Sequence, residues 1–460
     1  MSDFLQNIFD AQGENRWKIA QTSVKERIAK LLKLRKVIEA RQQEFYDAVW
    51  ADFHKPKTEA WLTEVYPALQ EIDHTVNHLP AWVEDKDGSW SFLFPLNSSV
   101  SHFEPKGRVL IMAPWNYPFL LFISPIVAAI AAGNVVIAKP SHKTPHVAEV
   151  LESIIKEVFP QNEVAVMQGA GAEIGDQLLA LPFDHVFFTG SPNVGAHVAE
   201  EAAKIHAGVT LELGGKSPVI ILDDVKIKDA AKKLAWGKCL NAGQTCIAPD
   251  YILIHEDVKE AFIKEFATQV KKLHGKEIKE SQHFVRLVTD KAFERVKSYL
   301  QDGDIVYGGR TDSNTRFIEP TLLDNVKPDA PVMTEEIFGP IFPMITISPQ
   351  NGRFKDQVAE FITGREKPLA FYYFGSESDG WELIHRTSSG GGCINDTIMH
   401  IANGNVPFGG VGNSGMGRYH GKLSFDAFTH ERSIIKAPTW IDLPFRYMPY
   451  RFFALIKRMM

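Results

Sequence analysis

The sequence predicts an α/β protein with a doubly wound parallel sheet. Five apolar segments behave as strands in its first half, and amphipathic segments such as "HVAEVLESIIKEVF" separate them: "VLIMAP", "NVVIAKPS", "EVAVMQG", "HVFFTGS" and "VTLELGG". Strands that alternate with helices in this way usually form a parallel sheet with helices on both faces. The fold class follows from this alternation and from one long charge-free stretch.

That stretch runs from Met112 to Ala138 without a charged residue. Its length raises the possibility of a membrane span, but "PWNYP", "SP" and "GN" interrupt it. We therefore divide it into the strand "RVLIMAP", a helix that ends at Gly133, and the strand "NVVIAKP". A βαβ unit that is buried on both sheet faces has this near-continuous apolar character.

The remaining elements extend this plan on both sides. Residues 1 to about 85 are predicted to be helical, and "NSSVSHFEPKGRVLIM" alternates polar and apolar residues as in an exposed hairpin. A second α/β stretch has strands near "SPVIILDD", "DYILIHE", "FIEPTLLD", "FPMITIS" and "LAFYYFG", with the helix "DVKEAFIKEFATQVKKLHG" between them. The Gly-rich segment "SGGGCINDTIMHIANGNVPFGGVGNSGMGRYHGK" also contains Asn, His and Phe, so we predict an ordered loop rather than a linker.

Composition excludes several classes of function. The chain has 460 residues and a formal net charge of −6, and it lacks the basic stripe of a nucleic-acid-binding protein. Its three cysteines have no C-x-x-C spacing, which favours free thiols in a reducing cytoplasm over disulfides or a zinc site. The acidic N-terminal segment does not resemble a secretory signal, so we expect no secretion.

Cys246 lies in "NAGQTCIAPDY", among small and turn-forming residues. A turn that leads into the strand "YILI" can leave the thiol accessible, with its backbone N–H on the same side. The ordinary cysteine pKa of about 8.5 means that a nucleophilic thiol needs a base or a lowered pKa. This segment alone is equally compatible with a small buried packing residue. Cys239 and Cys393 lie in segments that favour packing roles.

Three other segments contain candidate functional residues. Glu212 stands in the apolar strand of "VTLELGGKSP", where burial would raise its pKa as a general base requires; the alternative is a solvent-facing edge position. Asn116 of "APWNYPF" follows a strand and can donate to an oxyanion, although asparagine is also common in turns. Glu336 and Phe338 of "EEIFGPIFP" could equally be a solvated acid beside a core aromatic.

Taken together and in order, these motifs resemble those of the aldehyde dehydrogenase superfamily. The resemblance rests on "PWNYPF", "KPS", "FTGS", "LELGGKSP", "GQTC", "EEIFGP" and "PFGGVGNSGMGRYHG", from about residue 20 to the end of the Gly-rich segment. "GQTCIAPDY" and "PFGGVGNSGMGRYHGK" are most similar to the branch of fatty-aldehyde and class 3 enzymes. The resemblance implies an oxidoreductase that converts an aldehyde to the carboxylic acid with NAD or NADP, through a thiohemiacetal and a thioester.

The resemblance also implies a role for each catalytic candidate. Cys246 is the implied nucleophile, Glu212 the base that activates water, and Asn116 the oxyanion donor, aided by the backbone N–H of Cys246. A CoA-acylating dehydrogenase is the nearest alternative, although it would not need the base Glu212. A cysteine acyl hydrolase is an alternative from another class, and it would leave the cofactor motifs without a use. A catalytically inactive scaffold is disfavoured because no catalytic position is substituted.

The implied cofactor site avoids the most obvious glycine motif. "QGAGAEIG" follows a strand, but its spacing is G-x-G-x-x-x-G, one residue longer than a dinucleotide fingerprint. The resemblance instead places the pyrophosphate near "FTGSPNVG", at a helix N-terminus. The implied cofactor-binding residues are Trp115, Lys139, Ser141, His142, Gly190, Ser191, Gly195, Glu336 and Phe338, with Lys139 and Trp115 at the adenosine half and Glu336 and Phe338 at the nicotinamide half. No metal ligand is predicted.

His142 departs from the family pattern. Close relatives commonly carry a glutamate after "KPS", which binds ribose hydroxyls and disfavours a 2′-phosphate. This chain has His142 followed by Lys143. Loss of the acid and a potential gain of positive charge predict dual use of NAD and NADP or a preference for NADP.

The resemblance divides the chain into four parts and implies a homodimer. The parts are a dinucleotide-binding domain (1–89 and 108–212), a catalytic domain (213–425), an oligomerisation element (90–107 and 426–440) and a C-terminal amphipathic tail (441–460). Apolar residues in "NYPFLLF" and in the tail predict a medium-to-long aliphatic or an aromatic aldehyde.

The tail "MPYRFFALIKRMM" has an amphipathic pattern. Its apolar positions recur at helical spacing with basic residues around them: Phe452, Leu455, Ile456, Met459 and Met460. A helix of this length cannot span a bilayer, but it could lie on a membrane surface. The sequence favours the alternative that it docks on its own subunit, over the substrate entrance.

Overall fold

The structure is a computed structural model that describes residues 3–91, 96–348, 353–442, 447–450 and 452–459, without the side chains of residues 172, 455, 456 and 459. The α-helices of these residues are α1 (Asp3–Ala20), α2 (Val24–Phe53), α3 (Lys57–Ala60), α4 (Tyr66–Trp82), α5 (Leu120–Ala132), α6 (Pro145–Val158), α7 (Gly171–Leu179), α8 (Pro192–Lys204), α9 (Ile227–Cys239), α10 (Lys259–His274), α11 (Asp290–Ser298), α12 (Phe354–Thr363), α13 (Glu377–Arg386), α14 (Lys422–Ala427) and α15 (Phe453–Met459).

The strands fall into four sheets. They are β1 (Lys86–Asp87), β2 (Ser98–Pro105), β3 (Arg108–Met112), β4 (Val135–Lys139), β5 (Val164–Val166), β6 (His185–Thr189), β7 (Gly208–Glu212), β8 (Pro218–Ile221), β9 (Tyr251–His255), β10 (Asp304–Tyr307), β11 (Thr311–Asp312), β12 (Phe317–Ile318), β13 (Thr321–Asp324), β14 (Ile341–Ile347), β15 (Ala370–Phe374), β16 (Gly391–Ile394), β17 (Gly415–Met416) and β18 (Thr429–Lys436).

The first large sheet has the order β17-β7-β6-β3-β4-β5, and all its strands except β17 are parallel. The five strands predicted from the first half of the chain are therefore confirmed. Because parallel strands end at the same edge, the loops after β3, β4, β6 and β7 gather at one edge of the sheet. This edge is where Asn116 and Glu212 lie.

The predicted βαβ unit is confirmed as a buried element. β3 and β4 pair in parallel and α5 connects them, with every residue from Leu121 to Ala132 buried. The helix ends at Gly133, whose φ of 90° is left-handed, as predicted. A helix that is apolar all round is typical of a protein interior. Among the described residues, no helix is long and apolar enough to cross a membrane.

The N-terminal helices contribute to both faces of this sheet, because α1 shares a hydrophobic core with Leu110 of β3 and α2 shares one with Val109. α2 begins at a capping box in which the Glu26 backbone N–H donates to Ser23 Oγ at 3.3 Å and the Ser23 backbone N–H donates to Glu26 Oε2 at 2.7 Å. Such reciprocal bonds satisfy two N–H groups that the first helical turn leaves free. α2 then packs against α6 and α4 through buried side chains that include Leu31, Phe45 and Phe53.

The second large sheet has the order β10-β13-β14-β9-β8-β15-β16 and is parallel except at the β10–β13 edge. The sequence predicted β8, β9, β14 and β15, but it treated "FIEPTLLD" as one strand. The structure divides it into β12 and β13 around Pro320, which has no N–H to donate to a ladder. β16 lies inside the Gly-rich segment, where glycines hide the strand pattern: a Cβ on Gly392 would lie 2.3 Å from the Phe371 carbonyl oxygen.

A third sheet joins distant parts of the chain. β2 pairs with β18 over eight residue pairs, and β1 contributes two residues on the other side of β2. The sequence predicted a hairpin near residues 90–107, but the main partner of β2 is a strand more than 300 residues further on. Residues 92–95 of the predicted hairpin lie outside the described residues.

We predict that Gly133→Ala lowers the free energy of unfolding by more than the ~1–2 kcal/mol that a left-handed backbone costs an alanine. A Cβ there would lie 2.7 Å from the Arg27 guanidinium, which donates hydrogen bonds to the Ala131 and Ala20 carbonyls and cannot move without losing them. Gly404→Ala is the control, because a Cβ there meets nothing within 4 Å. Equal thermal midpoints for the two variants would contradict the prediction.

Candidate active site

A cleft of about 990 Å³ opens where loops from the two large sheets meet. Its walls come from the loops after β3, β6 and β7 of the first sheet and from the loop before β9 of the second. Eight of the twelve candidate residues line it: Trp115, Asn116, Gly190, Ser191, Glu212, Cys246, Glu336 and Phe338. Residues that are more than 200 positions apart in sequence therefore face one another.

Glu212 is the last residue of β7 and is only 2% exposed. Within the described residues, neither carboxyl oxygen has a hydrogen-bond partner. Desolvation raises the pKa of Glu212 well above its ordinary value. A buried carboxyl without a partner is costly for folding, and it is the arrangement expected of a group kept to accept a proton.

Cys246 is half-buried, in the loop between α9 and β9. The loop turns through Asn241 and Ala242, which both have left-handed φ angles near 50°. Desolvation is the main reason why the pKa of Cys246 is raised, and the neighbouring carboxyl groups of Glu336 and Glu212 raise it further. The thiol is therefore neutral in this state, and it needs an acceptor for its proton.

Asn116 follows β3 and is 3% exposed. Its carbonyl oxygen accepts a 2.9 Å bond from Asn241 Nδ2, which fixes its backbone against the Cys246 loop. Its side-chain amide lines the cleft and has two N–H groups that can donate to an oxyanion. Asn116 and Cys246 thus bring an amide that can donate hydrogen bonds and a thiol to the same cleft.

Glu336 folds back onto the two glycines after Glu212. A Cβ on Gly214 would lie 2.0 Å from Glu336 Oε2, so only glycine allows this approach. Desolvation, with the charge of Asp250 as a second cause, raises the pKa of Glu336 well above its ordinary value. Phe338 has a φ of 50°, and its ring lies 5.3 Å from the Trp115 ring in an edge-on arrangement.

The ion pair between Lys216 and Asp250, which sequence reasoning missed, connects three loops of the cleft. Lys216 Nζ lies 2.5 Å from Asp250 Oδ1 and also donates to the Val332 and Glu335 carbonyl oxygens. Asp250 Oδ2 accepts the Ile337 N–H at 2.9 Å. Lys216 lies in "LELGGKSP" and Asp250 in "GQTCIAPDY", and each motif contains a candidate catalytic residue. The sequence signal for the pair was a basic and an acidic residue in otherwise apolar motifs.

The start of α8 fits a dinucleotide pyrophosphate. Ser191 is the N-cap residue and Pro192 the first helical residue, so the helix presents unpaired N–H groups at the cleft. A Cβ on Gly195 would lie 2.5 Å from Leu213 Cδ2, so glycine lets the helix approach the end of β7. The Gly190 N–H donates to the Glu212 carbonyl oxygen at 3.0 Å. The backbone donors for an anion are therefore those of the first helical turn after Pro192.

The remaining four candidates lie beyond the cleft lining. Lys139 ends β4 and is 5% exposed, and Ser141 accepts the Lys143 N–H at 3.3 Å. His142 is exposed, and its Cε1 would lie 3.7 Å from a Cβ on Gly171. Gly195 contributes by allowing the close approach of α8 to Leu213. These positions adjoin the edge of the first sheet and fit the adenosine half of NAD or NADP.

The positive charge near position 142 comes from lysine side chains rather than from the imidazole. Desolvation lowers the pKa of His142, and the positive charges of Lys139 and Lys143 lower it further. The imidazole is therefore neutral at pH 7, and the lysines supply the positive charge. Lys143 Nζ lies 5.8 Å from the centroid of the Trp115 ring, and Trp115 lines the cleft.

The other two cysteines behave as packing residues. Cys239 is 3% exposed in the main hydrophobic core, and burial raises its thiol pKa. Cys393 lies in β16 with its sulfur 3.5 Å from His400 Nδ1, and burial raises its pKa to about 11. Among the described residues, no group of His, Cys, Asp and Glu is arranged to hold a metal ion.

Comparison with known proteins assigns the family. Residues 3–434 match the model of the aldehyde dehydrogenase family. The chain is 45% identical to 4,4'-diaponeurosporen-aldehyde dehydrogenase of Staphylococcus aureus, over 92% of this chain and 91% of that protein. It is 41% identical to the rat dimeric NADP-preferring aldehyde dehydrogenase, over 90% of each chain. A solved structure of Staphylococcus aureus AldH in a substrate-bound state superimposes with a TM-score of 0.95 over 100% of both chains, at 42% identity.

We predict that alkylation of Cys246 by uncharged iodoacetamide accelerates about tenfold per pH unit beyond pH 8.5, because a raised thiol pKa keeps the thiolate fraction small there. A thiol with the ordinary pKa would level off near that pH. Peptide mass spectrometry after timed quenching measures the rate for each cysteine, and buried Cys239 is the internal control. A plateau at neutral pH would contradict the prediction.

Proposed function

The chain belongs to the aldehyde dehydrogenase family, and we propose that it oxidises apolar aldehydes by attaching them to Cys246. It is an NAD(P)-dependent aldehyde dehydrogenase by its family match and its relatives. The observation that carries the residue assignment is the meeting of Cys246, the unpartnered Glu212 carboxyl and the Asn116 amide in one cleft. The substrate class rests on the apolar sequence around the cleft.

The covalent step begins with proton transfer. Glu212 in its ionised form accepts the Cys246 proton, so that the pair holds one negative charge at a time in a site that disfavours two. The thiolate attacks the aldehyde carbon, a C–S bond forms, and the carbonyl electron pair moves to oxygen. The Asn116 amide and the Cys246 backbone N–H donate to this oxyanion.

Trp115, Ser191 and Phe338 would hold NAD(P)⁺ in the cleft, and it would supply the two-electron acceptor needed to convert the thiohemiacetal to the thioester. Glu212, after releasing its first proton to solvent, accepts a proton from water. That water attacks the thioester carbon, the C–S bond breaks, and the carboxylic acid leaves with the thiolate regenerated. Glu212 therefore serves both half-reactions.

We also propose a homodimer in the cytoplasm. β18 is the edge strand of the third sheet, most of its residues are exposed, and Ile435 is 60% exposed. An exposed edge strand is a common site of pairing between copies. The relative from rat is named as dimeric. Sedimentation velocity of the full chain measures the state directly.

The C-terminal tail supports a proposal of contact with a membrane surface. The described side chains of Tyr447, Met448, Tyr450, Phe452 and Phe453 are exposed, which runs against docking of this segment on its own chain. The predicted apolar positions Leu455, Ile456, Met459 and Met460 have side chains outside the described residues. An exposed aromatic segment beside basic residues is typical of an interfacial helix.

The proposed function is tested with Glu212→Gln. We predict that steady-state oxidation falls by about 10²–10⁴-fold, because deacylation loses its base. A slower first-turnover burst of NAD(P)H remains, because the thiol can still lose its proton to solvent. Stopped-flow absorbance with aliphatic aldehydes of increasing length and one aromatic aldehyde measures both phases. Glu200→Gln, on the exposed face of α8, is the control. A wild-type steady-state rate in Glu212→Gln would exclude this role.

The cofactor proposal is tested with His142→Glu. We predict that kcat/KM for NADP falls relative to that for NAD by about tenfold, because an added carboxylate repels a 2′-phosphate. His283→Glu, at another exposed position, should leave the ratio unchanged. If His142→Glu also leaves the ratio unchanged, position 142 does not contact the ribose.

The tail proposal is tested by deletion of residues 445–460. We predict that the fraction of protein that pellets with anionic liposomes falls, because the exposed aromatic residues and the basic residues are removed together. Activity with a short soluble aldehyde is the control for folding. Equal pelleting of the full and shortened chains would rule out the membrane role.

A further inference from the structure

The relative position of Asn116 and Cys246 is not set by a β-ladder. Asn116 follows β3 of the first large sheet, whereas Cys246 precedes β9 of the second. Among the described strands, no strand of one large sheet pairs with a strand of the other. An oxyanion donor works only if it lies at the correct distance from the attacked carbon. Side-chain contacts between the two loops must therefore set this distance.

Two direct contacts join the loops. Asn241 Nδ2 donates to the Asn116 carbonyl oxygen at 2.9 Å and to the Gln244 carbonyl oxygen at 3.0 Å. The Tyr117 and Thr245 hydroxyl groups form a 2.6 Å hydrogen bond. Tyr117 and Thr245 are the residues immediately after Asn116 and before Cys246, and both are buried. The two contacts therefore act on the immediate neighbours of the donor and the nucleophile.

Three charged residues, two of them buried and one half-buried, contact both loops. Lys55, Glu59 and Glu64, which we call the Lys55 cluster, lie just after α2, in α3 and in the π-helical turn that follows α3. Glu59 Oε1 accepts the Asn241 backbone N–H at 2.9 Å. Glu64 Oε2 accepts the Phe119 backbone N–H at 2.8 Å. Glu59 thus contacts the loop that contains Cys246, and Glu64 contacts the loop that contains Asn116.

Lys55 connects the two halves of this cluster. Its Nζ lies 2.6 Å from Glu64 Oε1, and both side chains are 0% exposed. The same nitrogen lies 4.0 Å from the centroid of the Tyr117 ring. Its positive charge also acts on Glu59, whose pKa desolvation raises to about 7. Lys55 therefore faces both carboxyl groups and the tyrosine that contacts Thr245.

Stability alone does not account for this cluster. Buried ion pairs cost about as much in desolvation as they return, and well-packed apolar residues often do as well or better. The neighbouring backbone adds two uncommon features, a π-helical turn at Trp61–Val65 and the left-handed pair Asn241 and Ala242. Such features concentrate at functional sites. None of the three charged residues lines the cleft, so they cannot contact substrate directly.

We propose that the Lys55 cluster is a positioning device that sets the oxyanion donor Asn116 against the sulfur of Cys246. Glu59 and Glu64 are positioning residues of the covalent step, and Lys55 sets the distance between them. The inference rests on the proposed roles of Asn116 and Cys246. It predicts that loss of Glu59 slows addition to a carbonyl group and leaves the intrinsic reactivity of the thiol unchanged.

The test uses two reactions of the Cys246 thiol that need no cofactor. 4-Nitrophenyl acetate acylates a thiol through an oxyanion, and the nitrophenolate burst reports that step. Iodoacetamide alkylates the same sulfur by displacement, without an oxyanion. We predict that Glu59→Ala slows the burst about 10-fold and changes alkylation of Cys246 by less than about twofold. Glu59→Gln keeps the acceptor for the Asn241 N–H and should restore most of the burst rate. Thr58→Ala, an exposed neighbour, is the control.

A double-mutant cycle separates positioning from general damage. Asn116→Ala should slow the burst about 10²–10³-fold by removing the donor. If Glu59 acts through Asn116, adding Glu59→Ala in that background should change the burst by less than about twofold. If Glu59→Ala does not fold, Tyr117→Phe replaces it in the same double-mutant cycle. This variant keeps the ring beside Lys55 and removes only the hydroxyl contact with Thr245.

Equal slowing by Glu59→Ala in both backgrounds would overturn the inference, and so would a wild-type burst rate in Glu59→Ala. Parallel slowing of acylation and alkylation would overturn it as well, because that result describes a damaged nucleophile. Failure of the proposed function has a different signature: the wild-type burst would then persist in Cys246→Ala.

Discussion

Burial of three ionisable side chains around one cleft is the constraint on which the rest of the structure depends. Cys246, Glu212 and Glu336 all face this cleft, and desolvation is the largest cause of the raised pKa of each group. In water the two carboxyl groups would be ionised at pH 7 and would form hydrogen bonds with solvent. In the cleft both carboxyl groups favour the neutral form, and a negative charge on either of them raises the pKa of Cys246. A thiol and a carboxyl group in this setting exchange one proton readily, which is what attack followed by hydrolysis requires.

The fold creates this cleft at the meeting of two sheets. Parallel strands bring the loops after β3, β6 and β7 to one edge, and the loop before β9 closes the site from the second sheet. Glycines at positions 195 and 214 allow approaches that a Cβ would prevent. The Lys216–Asp250 pair then holds the loop that contains Glu336 against the loops of Glu212 and Cys246. Precision in the site thus comes from contacts between loops, while the sheets supply their approximate position.

The sequence predicted most strands of the two large sheets, the buried α5 and the eight candidate residues that line the cleft, because apolar periodicity and short motifs are local signals. It missed β16 because glycine has no side chain to reveal a strand, and it joined β12 to β13 because Pro320 interrupts an otherwise apolar run. It also missed Lys55, Glu59 and Asp250. Their contacts involve partners at distant positions, such as Asn241 for Glu59, and the sequence around a charged residue does not show whether the side chain is solvated or buried.

The central claim is that substrate carbon becomes bound to the sulfur of Cys246, and intact-protein mass spectrometry tests it most directly. The Glu212→Gln variant is mixed with an aldehyde and NAD(P)⁺ and quenched in acid after one turnover. The account predicts that the protein mass increases by the mass of the aldehyde minus two hydrogens, on the peptide that contains Cys246. Formation of NAD(P)H without any mass increase, or an adduct on another residue, would contradict it.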